Sequence, residues 1–451
     1  MSVLSFPPGF QWGAATASFQ VEGSTTADGR ADSIWDALCR VPGAVVNGDT
    51  GEPGADHYRR YRSDVELMKS LGLNAYRLST AWPRVRPDGG AENPKGLDFY
   101  ERLVDCLLDN GITPWITLYH WDLPQALQVK GGWAHRGTAY RFAEYTASVL
   151  DRLGDRVHNW ITLNEPWCSA FLGYALGKHA PGRTSPREAV AAVHHLMLAH
   201  GLAMEVIRES APQAQAGITL NLFPVVPVQP QDAEIARRVD GLQNRIFLDP
   251  VLHGRYPEDV LADLAPYGFA DHIADGDLAT IGGPVDFLGV NYYRDIQVID
   301  SGEPVAGPTE WIGAETARFP ARGRPVTDMG WEVVPEGLTD LLLSLHRQRP
   351  DLPVYLTENG AAYADELVDG QVHDSDRVEF LEAHLRAAHD AIAAGVDVRG
   401  YFYWSLLDNF EWAEGYAKRF GIVHVDYATQ RRTPKDSARR YARVIADHGL
   451  R

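Results

Sequence analysis

The chain has 451 residues, 45% hydrophobic and 23% charged, the mix of a soluble globular protein built as one large α/β barrel or as two or three ordinary domains. Its formal net charge of -18 disfavours nucleic acid and anionic membrane as partners, and the acidic excess is dispersed rather than gathered in a tail. Three cysteines (Cys39, Cys106, Cys168) make no disulfide framework and lack metal-ligand spacing. The opening MSVLSFPPGF has no signal-like pattern and no apolar run nears membrane-spanning length, so a cytoplasmic protein is expected.

Short apolar runs recur along the chain at 10–14, 75–79, 112–120, 157–165, 216–221, 286–293, 353–358 and 398–405, and each reads as a strand covered on both faces. Helical spacing lies between them. Tyr58, Tyr61, Val65, Met68 and Leu71 step by three or four, as do Leu97, Tyr100, Leu103 and Leu107, and later Val378, Leu381, Leu385, Ala388 and Ile392. Gly72, Gly111 and Gly395 stand where such helices should stop. Eight strand–helix units without a linker predict a single (β/α)8 barrel domain over 1–451, with long insertions in the loops at 43–54, 177–186, 295–330 and 361–372. A doubly wound sheet is the alternative, but no Gly-x-Gly-x-x-Gly fingerprint is present.

In such a barrel the C-terminal strand ends share one mouth. Those ends carry Arg77, His120 with Trp121, Asn164 with Glu165, Asn221, Asn291 with Tyr293, Glu358 and Trp404. Gln20 and Glu22 follow the first strand, and Glu411 and Trp412 follow the last. Amides and carboxylates bond vicinal hydroxyls, and aromatic faces stack on the C–H face of a sugar ring. With one cation among the ends and no His-x-His or His-Glu-x-x-His spacing, the set suits a carbohydrate better than a phosphate or a metal, and no cofactor is expected. Two glutamates on separate strands, Glu165 and Glu358, can cleave a glycosidic bond; from pattern alone, buried ion-pair partners remain the alternative. A carboxyl gap of roughly 5 Å predicts retention of configuration and roughly 6.5–9.5 Å predicts inversion.

The strings FQWGAATASFQVEG, YRLSTAWPR, LYHWDLPQAL, TLNEPW, GVNYY, YLTENG and YFYWSLLDNFEWAEGYAKRFG occur in order, each at a predicted strand end. On them the chain resembles the family 1 glycoside hydrolases, the β-glucosidase family, over essentially its whole length. The resemblance implies a retaining exo-β-glucosidase with Glu165 as acid/base and Glu358 as nucleophile. It further implies Arg77 below the nucleophile, Asn291 and Tyr293 beside it, and a sugar held by Gln20, His120, Trp121, Asn164, Trp404, Glu411 and Trp412. Asn164 would contact the sugar 2-hydroxyl. An intact Glu411-Trp412 pair, with an anionic Glu411 repelling phosphate, argues against 6-phosphoglycosides, and the presence of Glu165 argues against a thioglucosidase. Trp167, Phe171 and Trp331 are candidates for the aglycone side, with Cys168 and His179 near them. The expected substrate is a β-glucoside or short β-linked oligosaccharide. The alternatives are β-galactoside or β-fucoside as main substrate, and a carbohydrate-binding barrel without turnover. Oligomeric state is left open.

Overall fold

A computed structural model describes residues 4–451. Each apolar run forms a strand: β1 (Gln11–Ala15), β2 (Ala75–Ser79), β3 (Thr113–Tyr119), β4 (Asn159–Asn164), β5 (Gln215–Asn221), β6 (Phe287–Asn291), β7 (Val354–Asn359) and β8 (Val398–Trp404). All eight pair in parallel, in sequence order, and β8 closes on β1 into a barrel. The open, doubly wound alternative is thereby excluded. The helices His57–Ser70, Pro94–Asp109 and Ser375–Ala393 lie where the spacing places them. Gly72, Gly111 and Gly395 have φ of 77°, 73° and 103°, the left-handed geometry that ends a helix at low steric cost.

The barrel interior is layered because side chains two residues apart point the same way. Trp115, Phe287, Tyr355 and Phe402 form an aromatic floor, with Trp115 4.5 Å from Tyr355 and 5.3 Å from Phe402 between ring centroids. Two residues further along the strands the interior turns polar, with Thr117, Thr357 and Arg77 in contact: Arg77 Nε donates to Thr117 Oγ1 at 3.1 Å and Nη1 to the Thr357 carbonyl at 3.0 Å. Above that layer lies the mouth.

Several strand pairings are irregular, and besides the β7–β8 pairing, which shifts between Leu356 and Asn359, two irregularities lie beside the glutamates. The β4–β5 pairing shifts between Ile161 and Asn164, and the β6–β7 pairing shifts between Leu356 and Glu358. A local break of this kind re-aims side chains, and it brings the adjacent Asn164 and Glu165 to the same mouth. Outside the barrel, the helix Pro186–Ser210 is long and apolar enough to cross a membrane, but 83% of its most apolar window is buried in the protein, so it is a core helix here. The sequence disguises it, because Glu188, His194, His195 and His200 interrupt the apolar residues.

Candidate active site

Glu358 is buried near the end of β7 between two donors. Arg77 Nη1 donates to its Oε1 at 2.7 Å, and the Tyr293 hydroxyl donates to its Oε2 at 2.6 Å. Gly360, two residues on, lies so close to β8 that a Cβ there would sit 1.6 Å from the Trp404 carbonyl oxygen. Only glycine permits that approach, which holds the end of β7 beside Trp404.

Glu165 is held differently. Asn291 Nδ2 donates to its Oε1 at 2.7 Å, and the Cys168 thiol donates to its Oε2 at 3.2 Å. Asn291 is paired in register with Glu358, as expected, yet its amide serves Glu165. Asn164 Oδ1 accepts from Arg77 at 2.6 Å and from Asn291 at 3.0 Å, so the two glutamates are joined by an unbroken chain, Glu358–Arg77–Asn164–Asn291–Glu165.

This chain fixes a proton next door. With Asn164 Oδ1 accepting, its Nδ2 must be the donor to His120 Nε2 at 3.0 Å, which leaves the hydrogen of the imidazole on Nδ1. Burial and the Arg77 charge hold His120 well below its ordinary range, so the ring is neutral. His120 Nδ1 has no protein partner, and neither have Gln20 Oε1 and Glu411 Oε2. Gln20 Nε2 is committed to Asn409 Oδ1 at 3.1 Å and the Phe410 carbonyl at 2.8 Å. His120 and Glu411 line the same cavity, so a ligand there can meet both groups. Glu22, by contrast, is spent on Arg84 and the Tyr100 hydroxyl.

Aromatic rings wall the mouth. His120 stacks 5.7 Å from Trp404 and 5.9 Å from Trp412, and Trp121 lies 4.5 Å from Trp412. Glu165, Trp121 and Trp412 have φ of 48°, 75° and 51°, a left-handed geometry that bulky residues rarely adopt. Strain at three adjoining site residues marks a place where side-chain direction outweighs backbone comfort.

These walls enclose a cavity of about 340 Å³ that includes His120, Trp121, Glu165, Glu358, Trp404, Glu411 and Trp412. Tyr293, Trp167, Cys168, His179 and Trp331 line it too, as does Asn221. Phe171 does not: it is fully buried and packs its ring 6.1 Å from Phe247. It lies in a run of π-helical turns over Cys168–Leu176, of which Cys168, Leu172 and Leu176 face the cavity. The sequence reading also misses Trp311, Phe319, Phe223 and Arg294, which line the outer cavity from irregular connections where no period exists to find them. Among the described residues no group of three or more His, Cys, Asp or Glu is disposed to hold a metal ion.

Burial, and then the charge of Glu358, push the Glu165 carboxyl up to about 8. Burial also raises Glu358, but the Arg77 cation and the Tyr293 hydroxyl pull it back. The proton therefore belongs to Glu165 and the negative charge to Glu358. Glu411 is likewise raised to about 8, by burial and by the Glu358 and Glu165 charges. This push works against the anionic Glu411 expected from the sequence, because three carboxyl groups share one buried site.

Comparison with known proteins agrees with this geometry. The chain matches Glycosyl hydrolase family 1 over residues 3–450. It is 53% identical to the thermostable beta-glucosidase B of Thermobispora bispora, covering 99% of this chain and 92% of that protein. It is 46% identical to a bifunctional beta-D-glucosidase/beta-D-fucosidase of Bifidobacterium breve, covering 99% of this chain and 100% of that one. The crystal structure of the psychrophilic beta-glucosidase BglU of Micrococcus antarcticus superposes with a TM-score of 0.96 at 53% identity, over 100% of both chains. A match of this length and depth, on a barrel whose mouth holds both glutamates, places the protein in glycosyl hydrolase family 1.

Proposed function

We infer that the protein is a retaining exo-β-glucosidase, which removes terminal β-D-glucosyl residues from β-glucosides and short β-linked oligosaccharides. The observation that carries this reading is the division between its two buried glutamates: Glu358 has a cation and a hydroxyl donor, whereas Glu165 has an amide, a thiol and a carboxyl raised to about 8.

The geometry supports a double displacement. Protonated Glu165 gives its proton to the glycosidic oxygen as the bond from that oxygen to C1 breaks. The Glu358 carboxylate forms a bond to C1 from the opposite face, and the aglycone leaves as an alcohol. Forming the glycosyl ester consumes the Glu358 charge, which is one of the causes that raise Glu165. Glu165 then becomes more acidic, as suits a base that must take a proton from water. Water attacks C1, the ester bond breaks, and β-glucose leaves. His120 Nδ1, Gln20 Oε1 and Glu411 Oε2 supply hydroxyl partners for the sugar, and the rings of Trp404 and Trp412 supply apolar surface.

β-Fucosides and β-galactosides fit as secondary substrates, in keeping with the bifunctional name of the Bifidobacterium breve relative. Cytoplasmic residence belongs to the same proposal and is supported by three free cysteines, one of them at the site. The test is kcat/KM for aryl β-glucoside, β-galactoside, β-fucoside, 6-phospho-β-glucoside and cellobiose, with NMR of the first-formed product. Release of β-glucose and preference for the β-glucoside are expected; first-formed α-glucose would sink the retaining mechanism. Glu358→Ala should abolish hydrolysis, and unchanged turnover would refute its role as nucleophile.

A further inference from the structure

We propose that the outer part of the cavity, around Arg294, is an aglycone subsite that selects aromatic aglycones carrying an anionic substituent such as a carboxylate. The proposal rests on the β-glucosidase reading and names the leaving-group chemistry that reading leaves open. Arg294 directly follows Tyr293 and lines the cavity together with Phe223, Trp311, Phe319 and Trp331. Its guanidinium carbon lies 5.5 Å from the Trp331 ring centroid and 5.9 Å from that of Phe223. A planar cation between aromatic rings can bond a carboxylate edge-on while the rings hold an aryl group.

The cation is uncommitted. Among the described residues no carboxylate comes within ion-pair distance of Arg294, and no hydrogen bond from it to the protein is formed. Two carboxylates face it. Asp295 is engaged by both terminal nitrogens of Arg322, and Glu310 stands on the cavity wall without reaching the guanidinium. Burial lowers Arg294 to about 10, although the residue is half-buried rather than sealed from solvent. A half-buried cation with no ion-pair partner offers an anionic aglycone a charge-assisted hydrogen bond at the point where leaving groups exit.

The test compares 4-carboxyphenyl and 4-carbamoylphenyl β-glucosides, which match in shape and differ in charge. The readout is the acid/amide ratio of kcat/KM in the parent, in Arg294→Met and in Glu310→Gln. Dividing one protein's ratio by another's removes leaving-group differences and general damage. Arg294→Met should lower the ratio by about tenfold, the scale of one charge-assisted hydrogen bond. Glu310→Gln should raise it, and added salt should lower it in the parent. A ratio in Arg294→Met within about twofold of the parent's, the scatter expected of uncoupled changes, would overturn the proposal. So would a parent ratio indifferent to salt, a measurement that needs no variant to fold. If the parent cleaves neither glucoside, the β-glucosidase reading itself fails; if it cleaves both and only the ratios disagree, this inference alone falls.

Discussion

Arg77 holds Glu358 through a 2.7 Å ion pair, and among the described residues no cation does the same for Glu165. Both carboxyls are buried and each feels the other, so without this asymmetry neither would have a reason to keep the charge. Arg77 breaks the tie. It also reaches Asn164 and the Thr357 carbonyl, so one guanidinium ties together the ends of β4 and β7.

Replacing Arg77 with methionine keeps much of the stem volume and removes the charge. Glu358 should then hold its proton to higher pH, which moves the acid limb of the kcat/KM profile upward. Turnover at neutral pH should fall by about 10²–10³, the usual effect of losing one preorganised electrostatic partner. An acid limb that stays in place in a folded Arg77→Met protein would show that the cation does not set the charge of Glu358.

The alkaline limb depends on Glu165, and there Cys168 is the residue to change. Its thiol donates to Glu165 Oε2 and so favours the carboxylate, opposing the burial and the Glu358 charge that raise the group to about 8. Cys168→Ala removes that donor. Glu165 should then keep its proton further into the alkaline range, and the limb should move up. A limb that moves down or does not move would mean that the thiol is no more than packing.

The barrel was legible because buried parallel strands leave continuous apolar runs, and all eight ends lie within two residues of the expected positions. The glutamates were legible because a charge at the end of such a run has few structural reasons to be there. What stayed hidden depends on the third dimension. The left-handed backbone of Glu165 and the service of Asn291 to Glu165 lie beside shifts in strand pairing, and neither leaves a mark on residue spacing. Phe171, an aglycone candidate by its place just after the Asn-Glu-Pro-Trp string, turns into the core, because which face a ring takes in an irregular segment is set by packing. The upward push on Glu411 emerges only when Glu358, Glu165 and Glu411 are seen in one cavity.

Behind the site, a buried ion cluster anchors the loops that follow β7 and β8. Lys435 Nζ bonds both Asp365 and Asp408, while Arg377 also holds Asp365 and Arg419 also holds Asp408. Arg377 also holds Asp374, so the cluster balances three cations against three carboxylates. Lys435→Met then leaves one uncompensated negative charge, a loss on the order of 3–5 kcal/mol for a buried pair broken on one side. Thermal denaturation should show a clear fall in Tm. Adding Asp408→Asn to Lys435→Met should restore part of it, because the pair couples through charge. A Lys435→Met protein as stable as the parent would show that the cluster is not a structural anchor.

Glu411 should weaken the fold that holds it. Its carboxyl titrates near 4.5 in the unfolded chain and at about 8 in the native state. Between those values the native protein keeps a proton that the unfolded chain has released, so stability falls as pH rises through the window. At about 1.4 kcal/mol per unit, the loss approaches roughly 3 kcal/mol by neutral pH. Glutamine at this position keeps the shape and cannot ionise. Glu411→Gln should therefore match the parent in Tm at the acid end of the window and exceed it increasingly toward the alkaline end, while losing activity on β-glucosides. Thermal denaturation of both proteins across that range decides the matter. A Tm difference that does not change with pH would mean that Glu411 is already ionised in the native site, and the sugar would then meet an anion there instead of an acid.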